Sequence, residues 1–204
     1  MNRLYINCLK LIFPQLIWDF PSNNKSVYLT FDDGPTPYIT NKVLDILNQY
    51  NAKATFFCLG RKVREFPELF EIIKSAGHSA GSHGYDHFNG FTTPLSLYLE
   101  NTDNGIQVVN SNLFRPPYGK ITLRQIAGIN PLVKIVMWSI MSRDFDNNTN
   151  ASDCLDRVIK NIYPGSVILF HDTVQASENL FYILPKVLDY LAKNDYISKE
   201  ISIM

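Results

Sequence analysis

The sequence is poor in cysteine and in long apolar runs, and each shortage excludes a class of protein. Only three of the 204 residues are cysteine. That number is too small for the disulfide framework of a small secreted domain, and an odd number leaves at least one free thiol in a monomer. No stretch reaches the roughly 18 uninterrupted apolar residues that a membrane-spanning helix needs. The sequence therefore predicts neither a disulfide scaffold nor a transmembrane helix.

An excess of charge of either sign is also missing. Nineteen Lys and Arg residues balance nineteen Asp and Glu residues, whereas a non-specific nucleic-acid binder carries an excess of basic residues. Apolar residues make up 46% of the chain and charged residues 19%, which excludes a disordered chain. The length is that of one domain of ordinary size with a full core. We therefore expect a single globular domain with no nucleic-acid partner.

The N-terminal segment, residues 1–20, is interpreted as a short apolar arm that packs on a single domain of residues 21–204. Arg3 and Lys10 precede an apolar run, as they would in an export signal. Pro14 interrupts that run, and no small-x-small cleavage site follows. The expected location is therefore cytoplasmic or, after non-classical export, outside the cell, with an uncleaved export signal as the alternative.

Strand-like runs alternate with helix-like segments along the chain. Runs rich in β-branched and aromatic residues predict strands at 27–31, 54–59, 78–82, 112–114, 133–138, 166–170 and 196–203. Apolar residues at helical spacing predict helices between them, the first with Thr40 as its N-cap. This alternation is typical of a parallel sheet. About seven strands predict an α/β fold that closes into a distorted (β/α) barrel related to the triosephosphate isomerase barrel, or stays open.

Reactive side chains follow the predicted strands at the point where each strand ends. In parallel α/β folds the functional groups gather at the carboxyl ends of the strands. Three of the four histidines occupy such positions, which scattered structural histidines would not do. The candidates in chain order are Asp32, Asp33, His83, His87, Arg115, Pro117, Tyr118, Asp144 and His171.

The spacing of two of these histidines favours a metal site. His83 and His87 are four residues apart, so in a helical turn both imidazoles would lie on one face and could share an ion. A carboxylate from Asp32 or Asp33 would supply a third ligand. Two histidines and one carboxylate, with an open position for water, are typical of a catalytic zinc site. Each pair alone is a weak signal, but together at strand ends they favour a metal site over capping or turn residues.

The adjacent carboxylates predict divided roles, in which one binds the metal and the other acts as a base. Arg115 can pair with that base and hold it ionised, or it is a surface residue at a Pro-rich turn. His171 is either a near-core residue or a general acid whose pKa is raised by a carboxylate such as Asp144. His78, at the start of a strand, is interpreted as structural.

Five short segments of the chain, in one order, resemble the motifs of the polysaccharide deacetylases, the NodB-homology group of carbohydrate esterases. The resemblance extends over about residues 25–200, and five ordered motifs are specific where any single one is not. The segments are TFDDGP at 30–35, SHGYDH at 82–87, RPPYG at 115–119, DF at 144–145 and ILFHD at 168–172.

The resemblance implies a distorted (β/α) barrel of about seven strands and a metal-dependent removal of acetyl groups. The implied substrates are N-acetylglucosamine units of chitin-like oligomers, peptidoglycan or related polymers. Asp33, His83 and His87 match the ligands of a divalent ion, expected to be zinc.

The same resemblance assigns roles to the remaining candidates. Asp32 matches the general base and Arg115 the residue that orients it. Asp144 matches the carboxylate that tunes the general acid, and His171 matches that acid. The backbone near Tyr118 is implied to hold the oxyanion. Pro117 belongs to the same motif, and Phe145 stands in the pocket wall in place of a usual Trp.

Two further departures from the family pattern are Gly84, in place of a usual Ser or Thr, and Met141, in place of a usual Asp. They bear on substrate fit rather than on the ligands, base or acid. The alternatives are a hydrolase of O-acetyl esters or cyclic amides on the same scaffold, and a non-catalytic carbohydrate-binding module. The sequence names neither the acetylated glycan nor the physiological metal nor the oligomeric state.

Overall fold

One curled parallel sheet with helices packed on its outer face forms the frame of the protein. The structure is a computed structural model that describes residues 3–21 and 24–202. The strands within these residues are β1 (Leu16–Ile17), β2 (Ser26–Asp32), β3 (Ala54–Cys58), β4 (Ser79–Ser82), β5 (Leu113–Phe114), β6 (Lys134–Val136), β7 (Ile140–Met141), β8 (Val167–His171) and β9 (Ile197–Ser198). The helices are α1 (Arg3–Ile12), α2 (Ile39–Gln49), α3 (Gly60–Glu65), α4 (Pro67–Ser75), α5 (Leu95–Val109), α6 (Leu123–Gly128), α7 (Ala151–Ile159) and α8 (Ser177–Lys193).

The strand order shows how the sheet curls. The order is β1-β6-β5-β4-β3-β2-β8-β7, with β9 pairing to β2, and these pairings are parallel. Only residues 137–139 separate β6 from β7, yet the two strands lie near opposite ends of the order. One short stretch of chain therefore joins the two sides of the sheet and bends it into a partial barrel. The predicted distorted (β/α) barrel is confirmed.

The register of the central strands decides which side chains meet at the carboxyl edge. Asp32, the last residue of β2, pairs with His171, the last residue of β8. Ser82 of β4 pairs with Phe114 of β5, so the residues that follow them, His83 and Arg115, leave the sheet side by side. Parallel strands end at one edge, and the polar groups that follow them are therefore neighbours.

Side chains of β2 point alternately to the hydrophobic core on the outer face of the sheet and to the inside of the barrel. Phe31 points to the outer face, where its ring stacks on Phe56 at 5.0 Å and on Phe170 at 5.6 Å between ring centroids. These three rings are completely buried, and each contributes about 1.5–3 kcal/mol through burial. Because successive side chains of a strand point to opposite faces, Thr30 and Asp32 point into the barrel.

Helix α2 corrects one local prediction. Thr40 is not the N-cap, because the helix begins at Ile39 after Tyr38. The Thr40 hydroxyl instead accepts the N–H of Thr36 at 2.7 Å and donates to the carboxylate of Asp172. Burial raises the pKa of Asp172 to about 7. The Thr40 hydroxyl, which the sequence pattern predicted to cap the helix, therefore forms a tertiary hydrogen bond with a buried carboxylate instead.

The N-terminal segment contributes structure that the sequence did not predict. Residues 3–12 form α1, and β1 adds two residues to the sheet beside β6. Ile6, Leu16 and Trp18 are buried against the barrel, and Lys10 forms an ion pair with Asp19. The proposed boundary between arm and domain stays a prediction.

Other differences concern short elements. β1 and β7 are two residues long, too short to show a two-residue periodicity. The last predicted strand is ordered as a strand only at 197–198, and residue 203 lies outside the described residues. Among the described helices, none combines the length and the hydropathy needed to cross a membrane.

Candidate active site

A pocket of about 650 Å³ opens at the carboxyl ends of the parallel strands. Three of the residues predicted from the sequence, Arg115, Pro117 and Asp144, are buried and are not among the side chains that line this pocket. The structure therefore brings together residues that lie up to 139 positions apart in the sequence (Asp32 to His171). The sequence-predicted residues that line the pocket itself are Asp32, Asp33, His83, His87, Tyr118, Phe145 and His171.

Three of these side chains converge as a candidate metal centre. The ligand atoms of Asp33, His83 and His87 lie within 4.8 Å of one another. Asp33 Oδ1 is 3.6 Å from His83 Nε2 and 3.3 Å from His87 Nε2. Tetrahedral zinc with ligands at about 2.0–2.1 Å requires neighbouring ligand atoms about 3.3 Å apart. The spacing from Asp33 to each histidine is close to that requirement.

The protonation of the two histidines also suits a metal ligand. His83 Nδ1 lies 2.8 Å from the carbonyl oxygen of Arg115, so the Nδ1–H donates there and Nε2 is left with a free lone pair. Burial lowers the pKa of His83 to about 3, and burial likewise lowers the pKa of His87. Neutral imidazoles are the form that binds metal ions.

A further feature of Asp33 fits a bound cation. Its Oδ1 is buried and has no hydrogen-bond partner within residues 3–21 and 24–202. A buried carboxylate oxygen without a partner is costly. Because this oxygen lies 3.6 Å from His83 Nε2 and 3.3 Å from His87 Nε2, a divalent cation is a partner that could satisfy all three atoms.

Asp32 lies beside this trio, with its Oδ2 3.8 Å from His83 Nε2, and a buried arginine orients it through the other oxygen. Arg115 Nη1 donates to Asp32 Oδ1 at 2.7 Å and to the hydroxyl of Thr30 at 2.8 Å. Its other nitrogens donate to the carbonyls of Val136 and Met137. Burial raises the pKa of Asp32 more than Arg115 lowers it. Asp32 is therefore oriented by Arg115 but is a stronger base than an exposed aspartate.

His171 and Asp144 form the second polar pair of the pocket. His171 Nδ1 is 2.9 Å from Asp144 Oδ1, and the backbone N–H of His171 donates to Asp144 Oδ2 at 2.8 Å. Burial alone would lower the pKa of His171, but the Asp144 carboxylate, with smaller contributions from Asp32 and Asp33, raises it to about 9. His171 is therefore protonated at neutral pH, as a general acid must be.

The turn after β5 forms another wall of the pocket. Tyr118 has a positive φ of 59°, and its ring lies 4.3 Å from the ring of His87. The N–H groups of Gly119 and Lys120 donate within the turn, to Pro116 and Pro117. The Tyr118 N–H makes no such bond among the described residues. Opposite this turn, Phe145 contacts His171 edge to face at 4.8 Å between ring centroids.

The two histidines of the candidate metal centre are not on a helix, so the expectation drawn from their spacing is wrong. Residues 83–89 form an irregular loop, in which Gly84 adopts a φ of +83°. Asn101 of α5 fixes the loop, because its side chain accepts the N–H of Asp86 at 2.8 Å and donates to the Asp86 carbonyl at 2.9 Å. Asn101 is not among the residues predicted from the sequence, where the available signal was a polar residue on the buried face of a helix.

Replacing Asn101 with leucine is expected to weaken zinc binding about 10- to 100-fold, as loss of an outer-shell hydrogen bond does at other metal sites. The reason is that Asn101 holds the loop that carries His83 and His87. Competition with a chromophoric chelator measures the affinity, and circular dichroism checks the fold. Asn104→Leu, at an exposed position of the same helix, is the matched control. Unchanged affinity in a folded Asn101→Leu protein would contradict the prediction.

Comparisons with known proteins relate this chain to glycan deacetylases. A family model described as polysaccharide deacetylase matches residues 20–130. A peptidoglycan-N-acetylglucosamine deacetylase of Bacillus cereus is 37% identical over 160 residues, which are 75% of this chain and 58% of the relative. A chitooligosaccharide deacetylase of Azorhizobium caulinodans is 32% identical over 159 residues, which are 74% of this chain and 75% of the relative.

A solved structure is similar over almost the whole chain. The crystal structure of a peptidoglycan N-acetylglucosamine deacetylase, in complex with 4-naphthalen-1-yl-N-oxidanyl-benzamide, superposes with a TM-score of 0.86 at 32% identity. The match covers 92% of this chain and 91% of the other.

Proposed function

The chain belongs to the polysaccharide deacetylase family, and from this premise we propose that it is a metal-dependent hydrolase of N-acetylated glycans. The reaction is removal of the acetyl group from N-acetylglucosamine-type residues of an oligo- or polysaccharide, with acetate and a free amino sugar as products. Relatives named as peptidoglycan and as chitooligosaccharide deacetylases support this substrate class. The resemblance inferred from the five sequence motifs is confirmed at the level of the family.

Asp33, His83 and His87 are the residues that would hold the cation, for which zinc is the proposed identity. A divalent ion bound there supplies a Lewis acid that polarises the acetamide carbonyl and makes water a better nucleophile. The unpartnered Oδ1 of Asp33 and the neutral histidines support this assignment.

The remaining polar groups of the pocket transfer protons or stabilise the negative charge that develops during the reaction. Asp32, oriented by Arg115, accepts a proton from the attacking water. The backbone N–H of Tyr118 would donate to the oxyanion that develops on the acetamide oxygen. His171, kept protonated by Asp144, donates a proton to the departing amine nitrogen. Pro117 shapes the turn that carries Tyr118, and Phe145 contacts the sugar or its acetyl group.

One observation carries the proposal. A base and an acid, Asp32 and His171, are register partners on adjacent strands, and both face one pocket that the three candidate ligands also line. A hydrolase of an amide bond needs these three functions within reach of one carbonyl carbon.

Zinc-loaded protein is expected to release acetate from N-acetylglucosamine oligomers or peptidoglycan fragments, and a chelator is expected to stop the release. The reason is that the proposed Lewis acid is lost with the ion. Enzymatic quantification of acetate, with zinc restored after chelation as the control, makes the measurement. Absence of release with the metal demonstrably bound would overturn the proposal.

The same assay separates the alternatives. Release from O-acetylated sugars or opening of cyclic amides, without N-deacetylation, would identify another hydrolase on this scaffold. Saccharide binding without release from any substrate would identify a carbohydrate-binding module.

A further inference from the structure

A buried carboxylate that the proposed reaction does not use lies against the turn that follows Asp33. Asp172 comes directly after β8, and its side chain is completely buried. Its Oδ2 accepts the hydroxyl of Thr40 on α2, whereas its Oδ1 is buried and has no hydrogen-bond partner in the described part of the chain. Burying a carboxylate with so few partners lowers stability. An apolar side chain would carry no such cost at this position.

The Asp172 carboxylate packs directly on the backbone of Gly34, the residue after Asp33. A Cβ built on Gly34 would lie 2.1 Å from Asp172 Oδ2 and 2.6 Å from both its Cγ and its Oδ1. The carboxylate therefore fills the space that a side chain at position 34 would need. The Gly34 carbonyl accepts the N–H of Leu59 at 3.0 Å, so two separate contacts hold Gly34 in place.

A chain of hydrogen bonds connects Asp172 to the other end of the same turn. The Thr40 hydroxyl that donates to Asp172 also accepts the N–H of Thr36 at 2.7 Å. The Thr36 hydroxyl in turn accepts from Lys62 Nζ of α3 at 2.9 Å. One buried carboxylate is thus connected to two residues of the turn, to Gly34 by direct contact and to Thr36 through the Thr40 hydroxyl.

The backbone of Asp33 has a conformation that needs support from its surroundings. Its φ is +76°, which is uncommon for a residue other than glycine and persists where the neighbouring structure holds it. The Asp33 N–H donates to the carbonyl of Phe57 at 3.2 Å, and the next residue, Gly34, is held by Asp172. The direction of the Asp33 side chain toward the two candidate ligand histidines depends on this backbone conformation.

We propose that Asp172 is a positioning residue for the candidate metal ligand Asp33, because its carboxylate holds the turn 33–36 in the conformation that directs Asp33 Oδ1 to His83 and His87. This inference rests on the proposed function, whose metal centre it takes as given. Asp172 does not line the pocket and is not one of the three converging ligand side chains. A purely geometric role predicts that a side chain of the same shape without the charge can replace the carboxylate.

The test compares the zinc affinities of Asp172→Ala and Asp172→Asn in the full chain. Alanine leaves Gly34 without its contact and Thr40 without its acceptor, and it is expected to weaken zinc binding about tenfold, as loss of an outer-shell partner does at other metal sites. Asparagine keeps the shape and an acceptor oxygen for Thr40, and it is expected to restore the wild-type affinity. Competition with a chromophoric chelator measures the affinities, and circular dichroism checks the fold.

Cobalt in place of zinc gives a second measurement, which a loss of stability alone would not change. The visible absorption of Co²⁺ depends on the number and arrangement of its ligands. The spectrum is expected to change in Asp172→Ala and to match the wild type in Asp172→Asn.

Thr40→Val tests the same contact without altering the carboxylate itself. It removes the hydroxyl that joins Asp172 to Thr36 and is expected to change zinc affinity and the cobalt spectrum in the same direction as Asp172→Ala. The double variant is expected to bind zinc as Asp172→Ala does, because the two side chains act through one contact. Thr40→Val also decides the inference if Asp172→Ala does not fold.

Asp19→Ala is the matched control. Asp19 is also a buried aspartate, and its Oδ2 accepts the hydroxyl of Tyr163 at 2.9 Å. It is bridged to Ser166, at the end of β8 opposite to Asp172. The variant is expected to lower the free energy of unfolding but to leave the zinc affinity and the cobalt spectrum unchanged.

The outcomes separate this inference from the proposed function. Wild-type zinc affinity and an unchanged cobalt spectrum in folded Asp172→Ala would overturn the inference and leave the proposed function standing. An equal loss in Asp172→Asn would also overturn it, since the charge and not the shape would then matter. If the wild type binds zinc but releases no acetate, the proposed function fails, while the affinities still decide the role of Asp172. A wild type that binds neither ion would overturn both.

Discussion

Replacing Asp33 with alanine is expected to remove zinc binding and to reduce acetate release to background. Asp33 Oδ1 is the atom that lies 3.3 Å from His87 Nε2 and 3.6 Å from His83 Nε2. Without it, two neutral imidazoles remain, and a site with two protein ligands is short of the three that catalytic zinc sites use. Metal content after dialysis and acetate release measure the two losses together.

Asp86→Ala is the control for this experiment. Asp86 lies one residue before His87, but its carboxylate faces Arg61 at 3.5 Å instead of lining the pocket. This variant removes a negative charge from the same loop and is expected to keep one zinc ion per chain. Retained zinc stoichiometry in Asp33→Ala would show that another side chain is the ligand and would refute the metal assignment.

The second large effect is expected from His171→Ala, which should slow turnover by about 10² to 10⁴ while zinc binding is kept. His171 is bonded to Asp144 and is not among the three converging ligand side chains. Its removal leaves the departing amine without a proton donor, whereas the metal ligands remain in place. Steady-state kinetics and metal content of the same preparation separate the two properties.

The pH profile of the wild type gives the same assignment an independent test. Because the Asp144 carboxylate outweighs burial and raises the pKa of His171 to about 9, the acid is protonated at neutral pH. Activity is lost as pH rises through that pKa, and a bound cation would shift the loss to lower pH by repelling the imidazolium. The alkaline limb is expected to disappear in His171→Ala.

His78→Ala is the matched control for His171. Burial lowers the pKa of His78 to about 4, and its Nδ1 accepts the N–H of Ala54 at 3.2 Å, at the start of a strand and outside the pocket lining. Its loss is expected to reduce the free energy of unfolding but to leave the alkaline limb in place. Unchanged turnover in His171→Ala, or loss of zinc with it, would contradict the general-acid role.

Local sequence signals determined most of the architecture, because strands and helices of ordinary length leave a periodic pattern in the residues that form them. The strands predicted at 27–31, 54–59 and 166–170 coincide with β2, β3 and β8, whereas the strand predicted at 196–203 is a strand only at 197–198. The pattern failed where an element was too short to be periodic, as in β1 and β7. It failed also at Thr40, where a buried carboxylate 132 positions later in the chain uses the hydroxyl.

For the candidate active site, too, some features could be predicted from the sequence and others required the structure. The identity and order of its residues are properties of the sequence, and so is the family to which they point. The residues alone left open whether Asp32 or Asp33 is the ligand. In the structure Asp32 Oδ1 accepts from Arg115 and its Oδ2 lies 3.8 Å from His83 Nε2, whereas Asp33 Oδ1 lies 3.6 and 3.3 Å from the Nε2 atoms of His83 and His87, and these distances support the proposal of Asp33 as the ligand.

The sequence by itself determined which chemical groups are present and at which strand ends they lie, because composition and periodicity are local. Only the tertiary structure decided the contacts among them: the β2–β8 register that sets Asp32 beside His171, the hydrogen bonds from Asn101 to the loop of His83 and His87, and the hydrogen bond between His171 and Asp144. These contacts depend on the packing of segments far apart in the chain, and no local pattern encodes the distance between two such segments.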